Sequence, residues 1–272
     1  SNGQGHATAY AQFAAQVLDV PIARIRVVQG DTKTVATGHG TGGSRSIPIG
    51  GVSAYVSATN LSEKLKTLAA GKLEAGVADL ELSGGAVRIA GTDRRVSFAE
   101  LAAEFGQEAV TAEGDFTPPN ATYPNGTHIA ELEIDPATGT VAIQRYTVCD
   151  DFGTTVNPLL LEGQVHGGVA QGIGQALMEQ AVYDAEGQLL SASFMDYAMP
   201  RADNLPNFHF ETRNVPSTTN PLGIKGAGEA GSIGSCPAVM NAVVDAVARA
   251  RGLQHVDMPA TPDMLWKRLN GA

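Results

Sequence analysis

Glu229 is the residue whose setting most suggests chemistry. It lies in Lys225-Gly-Ala-Gly-Glu-Ala-Gly231, one carboxylate among Gly226, Gly228, Ala230 and Gly231, just ahead of an apolar helix. Small neighbours clear space that only a close ligand or backbone needs. That suits a carboxylate reaching a ligand better than it suits a surface charge. The same residues spell G-x-G-x-x-G, the dinucleotide fingerprint, which requires a buried strand immediately before it. Here Pro216-Ser-Thr-Thr-Asn-Pro-Leu-Gly223 comes first, a polar turn segment with two prolines, so a nicotinamide-binding loop is not expected.

Three other glycine turns resemble this one in kind. Gly3-Gln-Gly-His6 precedes a first helix, Thr41-Gly-Gly-Ser-Arg-Ser46 precedes a long one, and Gly163-Gln-Val-His-Gly-Gly168 is expected to open a third. A helix N-terminus presents unpaired amides and the positive end of its dipole, and it binds phosphate or other anions. Four such entries in one chain point to one large, polar, anionic ligand gripped from several sides. His6 and His166 fall in these turns and are equally well read as lining the site or as packed side chains.

Competing chemistries find little support. The histidines at 6, 39, 128, 166, 209 and 255 give no H-E-x-x-H and no metal spacing, so no protein-ligated metal is expected. G-x-S-x-G and G-x-x-x-x-G-K-[ST] are both missing from the sequence. Asp150-Asp151 follows an apolar strand and reads as a solvated strand end or turn cap before it reads as a metal pair. Cys149 and Cys236 form no disulfide framework and are expected to be core thiols in a reducing, cytoplasmic setting. A net charge of −10 argues against a nucleic-acid partner but not against a small anionic cofactor. With 43% hydrophobic residues the chain is globular, and neither a membrane span nor a secretory leader is read from it.

The elements that must position these residues read as α+β. Helices are expected over 7–18, 52–73, 97–105, 165–180 and from Pro237 to about Arg251, with Pro237 as a first-turn proline. Ser97-Phe-Ala-Glu100 is a capping box. Ile25–Val28 is expected as a short strand. Hairpins are expected at 80–89, 129–148 and 182–190, and a strand at 208–210. A proline-containing polar stretch, 106–127, supplies the boundary between a first subdomain (1–112) and a second (113–272) that carries Glu229.

In order along the chain, Gly3-Gln-Gly-His6, Gly40-Thr-Gly-Gly-Ser-Arg-Ser46, Asp150-Asp-Phe-Gly153 with Asn157-Pro158, Gly163-Gln164 with Gln171-Gly-Ile-Gly174, Tyr197-Ala-Met-Pro200 and Lys225-Gly-Ala-Gly-Glu-Ala-Gly231 resemble the C-terminal portion of the molybdopterin-binding subunit of the xanthine dehydrogenase, aldehyde oxidase and aerobic carbon monoxide dehydrogenase family. The resemblance implies a molybdenum held by a pterin dithiolene, in the cytosine dinucleotide form, with no protein side chain ligating the metal. It matches Gln4 (with Gly5) to a glutamine near the metal and pterin, and Ser44, Arg45 and Ser46 to a loop contacting phosphate and pterin. It matches Gln164 to a pterin contact, counts Lys225 and Gly226, the lead-in of the catalytic glutamate, among the cofactor-binding residues, and matches Glu229 to that glutamate, a general base. It further implies a small-molecule substrate (an aldehyde, an N-heterocycle or carbon monoxide). The implied partners are the rest of the molybdenum subunit and [2Fe-2S] and FAD modules that take the electrons. A piece of such a subunit is expected to be inactive alone. A non-catalytic cofactor-binding or assembly module is the alternative reading.

Overall fold

Strong local signals became the expected elements. In the computed structural model, which describes every residue except Ala36, His39 and Ala272, the first helix, α1, runs His6–Leu18 and the long helix, α2, runs Val52–Leu73. Strand β1 (Leu80–Ser83) pairs antiparallel with β2 (Ala86–Ile89). Gly84 and Gly85 join them with φ of 60° and 83°, the doubly left-handed turn that a two-residue hairpin prefers. Strand β3 (Arg95–Ser97) adds to β2, and helix α3 (Phe98–Phe105) follows it. Ser97 and Glu100 form the reciprocal capping box. Leu65, Ala69 and Leu73 of α2 bury against Leu80, Val87, Val96 and Leu101. Ile25–Val28 joins no sheet among the described residues; one short apolar run cannot make a strand without a partner.

The chain divides into two compact units. One is Ser1–Thr122 with Ser217–Ile224, and the other is Tyr123–Pro216 with Lys225–Ala272. The second unit holds a long hairpin, β4 (Asn125–Ile134) and β5 (Val141–Asp151), with a register shift at Glu131/Leu132. Strand β6 (Phe208–Thr212) lies parallel to β5. The 182–190 hairpin is reduced to a single bridge, Tyr183 to Leu189. Its turn is tied down by Asp184, whose carboxylate accepts from the amides of Glu186 and Gln188.

Two helix starts differ from expectation. Helix α4 runs Pro158–Leu177, so Gly163–Gly168 lies inside a helix instead of opening one. Asn157 caps it by accepting from the Leu160 amide at 3.1 Å, and Pro158 takes the first turn. That pair is a stronger start signal than clustered glycines. Helix α5 runs Ala230–Arg251, which places Pro237 in its interior. The proline lacks an N–H and costs the helix a bond; the turns before it are held by contact with α4. A last helix, α6 (Pro262–Asn270), is capped by Thr261. The length and apolarity of α5 would also suit a bilayer span, but its Val239, Val243 and Val247 are buried in the core of the second unit with Val165, Val169 and Ile173 of α4 and with Tyr146 and Val148 of β5. The architecture is α+β, with mixed helices and two three-stranded sheets among the described residues.

Candidate functional site

In the first unit the candidate residues converge on the start of α1. Gly5 is its N-cap in the left-handed conformation (φ 75°, ψ 21°), and no side chain caps the helix. Just before it, the Gln4 side-chain oxygen accepts from the Asn2 amide and the Ser1 hydroxyl. The second glycine loop passes through Gly43 (φ 60°) and Ser44 (φ 53°). A serine held there costs roughly 1–2 kcal/mol against ordinary backbone, a strain that clusters at functional positions. Ser46 opens a π-helical turn, Ser46–Gly51, that leads into α2 without a side-chain cap. The Tyr10 hydroxyl donates to the Ser46 carbonyl at 2.9 Å, and the Thr41 and Ser46 hydroxyls hydrogen-bond each other. Gly50 and Gly51 lie so close to α1 that a Cβ would stand 2.6 Å from the Tyr10 hydroxyl and 2.8 Å from the Phe13 ring. One helix therefore fixes both the Gln4–Gly5 turn and the Ser44–Ser46 loop. His6 is buried and stacks on Tyr10 at 5.7 Å. Burial, aided by the nearby N-terminal amine, lowers its pKa. His39 lies outside the described residues.

In the second unit Lys225, Gly226, Glu229 and Gln164 form another group. Glu229 is exposed and is the N-cap residue of α5, which has no side-chain cap hydrogen bond. Its carbonyl accepts from the Ile233 amide at 3.0 Å and the Ser232 hydroxyl at 3.1 Å. Gln164, on α4, donates through Nε2 to the Gly228 carbonyl at 3.1 Å. The ammonium of Lys225 is engaged by Asp151, Nζ to Oδ2 at 2.6 Å. Helix α4 can lie close to this segment because two of its glycines, Gly168 and Gly172, face α5. A Cβ at Gly168 would stand 2.9 Å from the Gly231 Cα, and one at Gly172 would stand 1.9 Å from the Ser235 hydroxyl. The segment Gly163–Gly168 is helical and its Gly168 serves helix packing, which corrects its reading as a turn at a helix start. His166 accordingly sits mid-helix, edge-on to Phe208 and Phe210.

Asp150 and Asp151 are both buried, contrary to their reading as a solvated strand end. Alternation along β5 sends them to different partners. Asp150 faces His128 Nε2 at 3.3 Å, and the other ring nitrogen of His128 meets the Tyr146 hydroxyl at 2.9 Å. Burial, with Asp150 nearby, pushes the Tyr146 phenol above its usual range. Asp151 accepts the Gly153 amide at 2.9 Å, the Val215 amide at 3.0 Å and the Lys225 ammonium. Burial alone would raise the Asp151 carboxyl; Lys225 and the two amides outweigh it and hold the group below its ordinary 3.8. Because the folded value is the depressed one, the stability it contributes is complete above the unfolded value and is lost as pH falls through the folded value. We expect acid melts to show this loss below about pH 4, and Asp151→Asn to remove that part of the acid limb. Nothing in the spacing announced the Asp151–Lys225 pair, whose members are 74 positions apart.

The donor types among these residues are helix-start amides, a glutamine amide, two serine hydroxyls and a guanidinium. That chemistry suits phosphate oxygens and pterin heteroatoms. By contrast α3, α4 and α6 are closed by the side chains of Ser97, Asn157 and Thr261. Among the described residues no group of three His, Cys, Asp or Glu is placed to hold a metal ion.

Comparison with known proteins identifies the family. The family model of a molybdopterin cofactor-binding domain matches residues 1–206. The large chain of carbon monoxide dehydrogenase from Hydrogenophaga pseudoflava is 38% identical over 99% of this chain and 34% of its own length. The nicotine 6-hydroxylase large subunit of Paenarthrobacter nicotinovorans is 36% identical over 100% of this chain and 34% of its own. Quinoline 2-oxidoreductase from Pseudomonas putida superposes with a TM-score of 0.85 at 35% identity, covering 99% of this chain and 36% of that one. The chain thus spans about a third of the length of the curated relatives it matches. It belongs to the molybdopterin cofactor-binding domains of the family that includes the carbon monoxide dehydrogenase large chains and the xanthine dehydrogenases.

Proposed function

We propose that this chain is the cofactor-binding and base-bearing part of a cytoplasmic molybdenum hydroxylase. The observation that carries the reading is Glu229 at the head of α5, on a glycine loop held from β5 and α4. In the first unit, Gln4, Gly5, Ser44, Arg45 and Ser46 would hold the pterin and phosphate groups of a molybdopterin cytosine dinucleotide. In the second, Gln164, Lys225 and Gly226 would shape the loop around Glu229. When bound, the cofactor supplies the redox and Lewis-acid chemistry. The Glu229 carboxylate accepts the proton of the attacking oxygen, as a general base must. Its backbone, fixed at the start of α5, keeps that acceptor in place. Aldehydes, N-heterocycles and carbon monoxide are the substrate classes consistent with the relatives. The rest of the molybdenum subunit completes the enzyme, and electrons leave to [2Fe-2S] and FAD modules. The chain by itself is expected to give no turnover.

The cofactor assignment is tested in the complete enzyme with Arg45→Ala. Loss of a charge-assisted contact to phosphate weakens retention by about 1.5–3 kcal/mol. Molybdenum by mass spectrometry and cytosine nucleotide released by acid should fall together after dialysis. Unchanged contents of both would remove Arg45 from the cofactor's contacts.

A further inference from the structure

We propose that Asp151 is a positioning residue for Glu229, acting through Lys225. This rests on the reading of Glu229 as the base. Lys225 is attached to the end of β5 twice: its amide donates to the Phe152 carbonyl at 2.9 Å, and its ammonium meets Asp151 at 2.6 Å. Both side chains are largely covered, 11% exposed for Asp151 and 13% for Lys225. The other Asp151 oxygen is occupied by the Gly153 and Val215 amides, so the carboxylate cannot swing away. At the far end of the loop, Gln164 holds the Gly228 carbonyl and α5 begins at Ala230. Between the Lys225 and Gly228 anchors stand Gly226 and Ala227. Glycines lose the most conformational freedom on ordering, so fixing the ends of such a loop narrows the shapes it can take. A buried ion pair adds little net stability against an apolar pair of the same shape. Its use here is to select one conformation of the segment that presents Glu229. A metal role for Asp151 with its neighbour does not fit, because Asp150 is directed to His128.

The test uses the complete, cofactor-loaded enzyme with Asp151→Asn. Asparagine keeps an oxygen for the two amides and loses the charge that holds Lys225. Displacing a reacting group by about 1 Å costs on the order of 10²-fold. We therefore expect kcat to fall by about that factor, with KM, molybdenum and pterin little changed. Amide hydrogen exchange should quicken at residues 226–229 while the buried segments of β5 and α5 keep their protection. In a Glu229→Gln background Asp151→Asn should add no further loss of turnover, since a residue acting only through Glu229 has nothing left to position. Multiplying losses, or unchanged exchange at 226–229, would overturn the proposal. If Asp151→Asn does not fold, Asp151→Asn with Lys225→Met removes both charges and the same readings apply. Should Glu229→Gln alone keep its turnover, the base assignment fails; the exchange result still decides separately whether Asp151 holds the loop.

Discussion

Glu229→Gln, made in the complete enzyme, is expected to lower kcat by about 10²- to 10⁴-fold, the range a positioned general base contributes. Molybdenum and pterin contents should stay at wild-type levels. Glutamine has nearly the same shape and differs chiefly in being unable to take up a proton. The backbone at 229 is held through its own carbonyl, which accepts from Ile233 and Ser232. The substitution therefore removes the acceptor and leaves the loop in place. An interaction made only in the transition state lowers kcat and kcat/KM together, and that pattern is expected here. A rise in KM with unchanged kcat would instead make Glu229 a binding residue. Turnover near the wild-type level would remove it from the chemistry altogether.

How far this arrangement could be read from sequence depended on whether a signal was local. The turn Gly84-Gly85, the capping box at Ser97 and Glu100, and the apolar spacing of α2 each state their structure within a few residues, and each is found where expected. Signals that depend on distant partners were less legible. Ile25–Val28 has strand composition but no partner strand among the described residues. Pro237 resembles a first-turn proline, yet α5 begins well before it, where packing on α4 outweighs the lost bond. Asp151 looked like a strand end because its counter-charge lies far away in sequence. Glycine was the most ambiguous signal: it marks both a backbone that must turn left-handed and a surface that another backbone must approach. Gly5 and Gly43 are of the first kind, with φ of 75° and 60°. Gly168 and Gly231 are of the second.

That distinction gives Gly231 a large expected effect on stability. A Cβ at Gly231 would stand 2.5 Å from the Val165 carbonyl oxygen, 2.7 Å from the Val169 nitrogen and 2.9 Å from the Gly168 carbonyl carbon. All three are backbone atoms of α4, so no side chain can turn aside and the helices must separate. Overpacking of this kind costs about 1–3 kcal/mol, and Gly231→Ala should lower the melting temperature accordingly. Turnover should fall as well, because the separation draws Gln164 on α4 away from the Gly228 carbonyl, only one residue before Glu229. Gly167 supplies the control. It is exposed within α4, and a Cβ there meets nothing within 4 Å. Gly167→Ala should raise stability by about 0.4–1 kcal/mol, through the lost freedom of the unfolded chain. Opposite signs at two glycines, one on each of two packed helices, follow from helix contact and not from a need for open space around a ligand. If Gly231→Ala were tolerated, that contact would not be what requires glycine beside Glu229, and the open-space explanation would return.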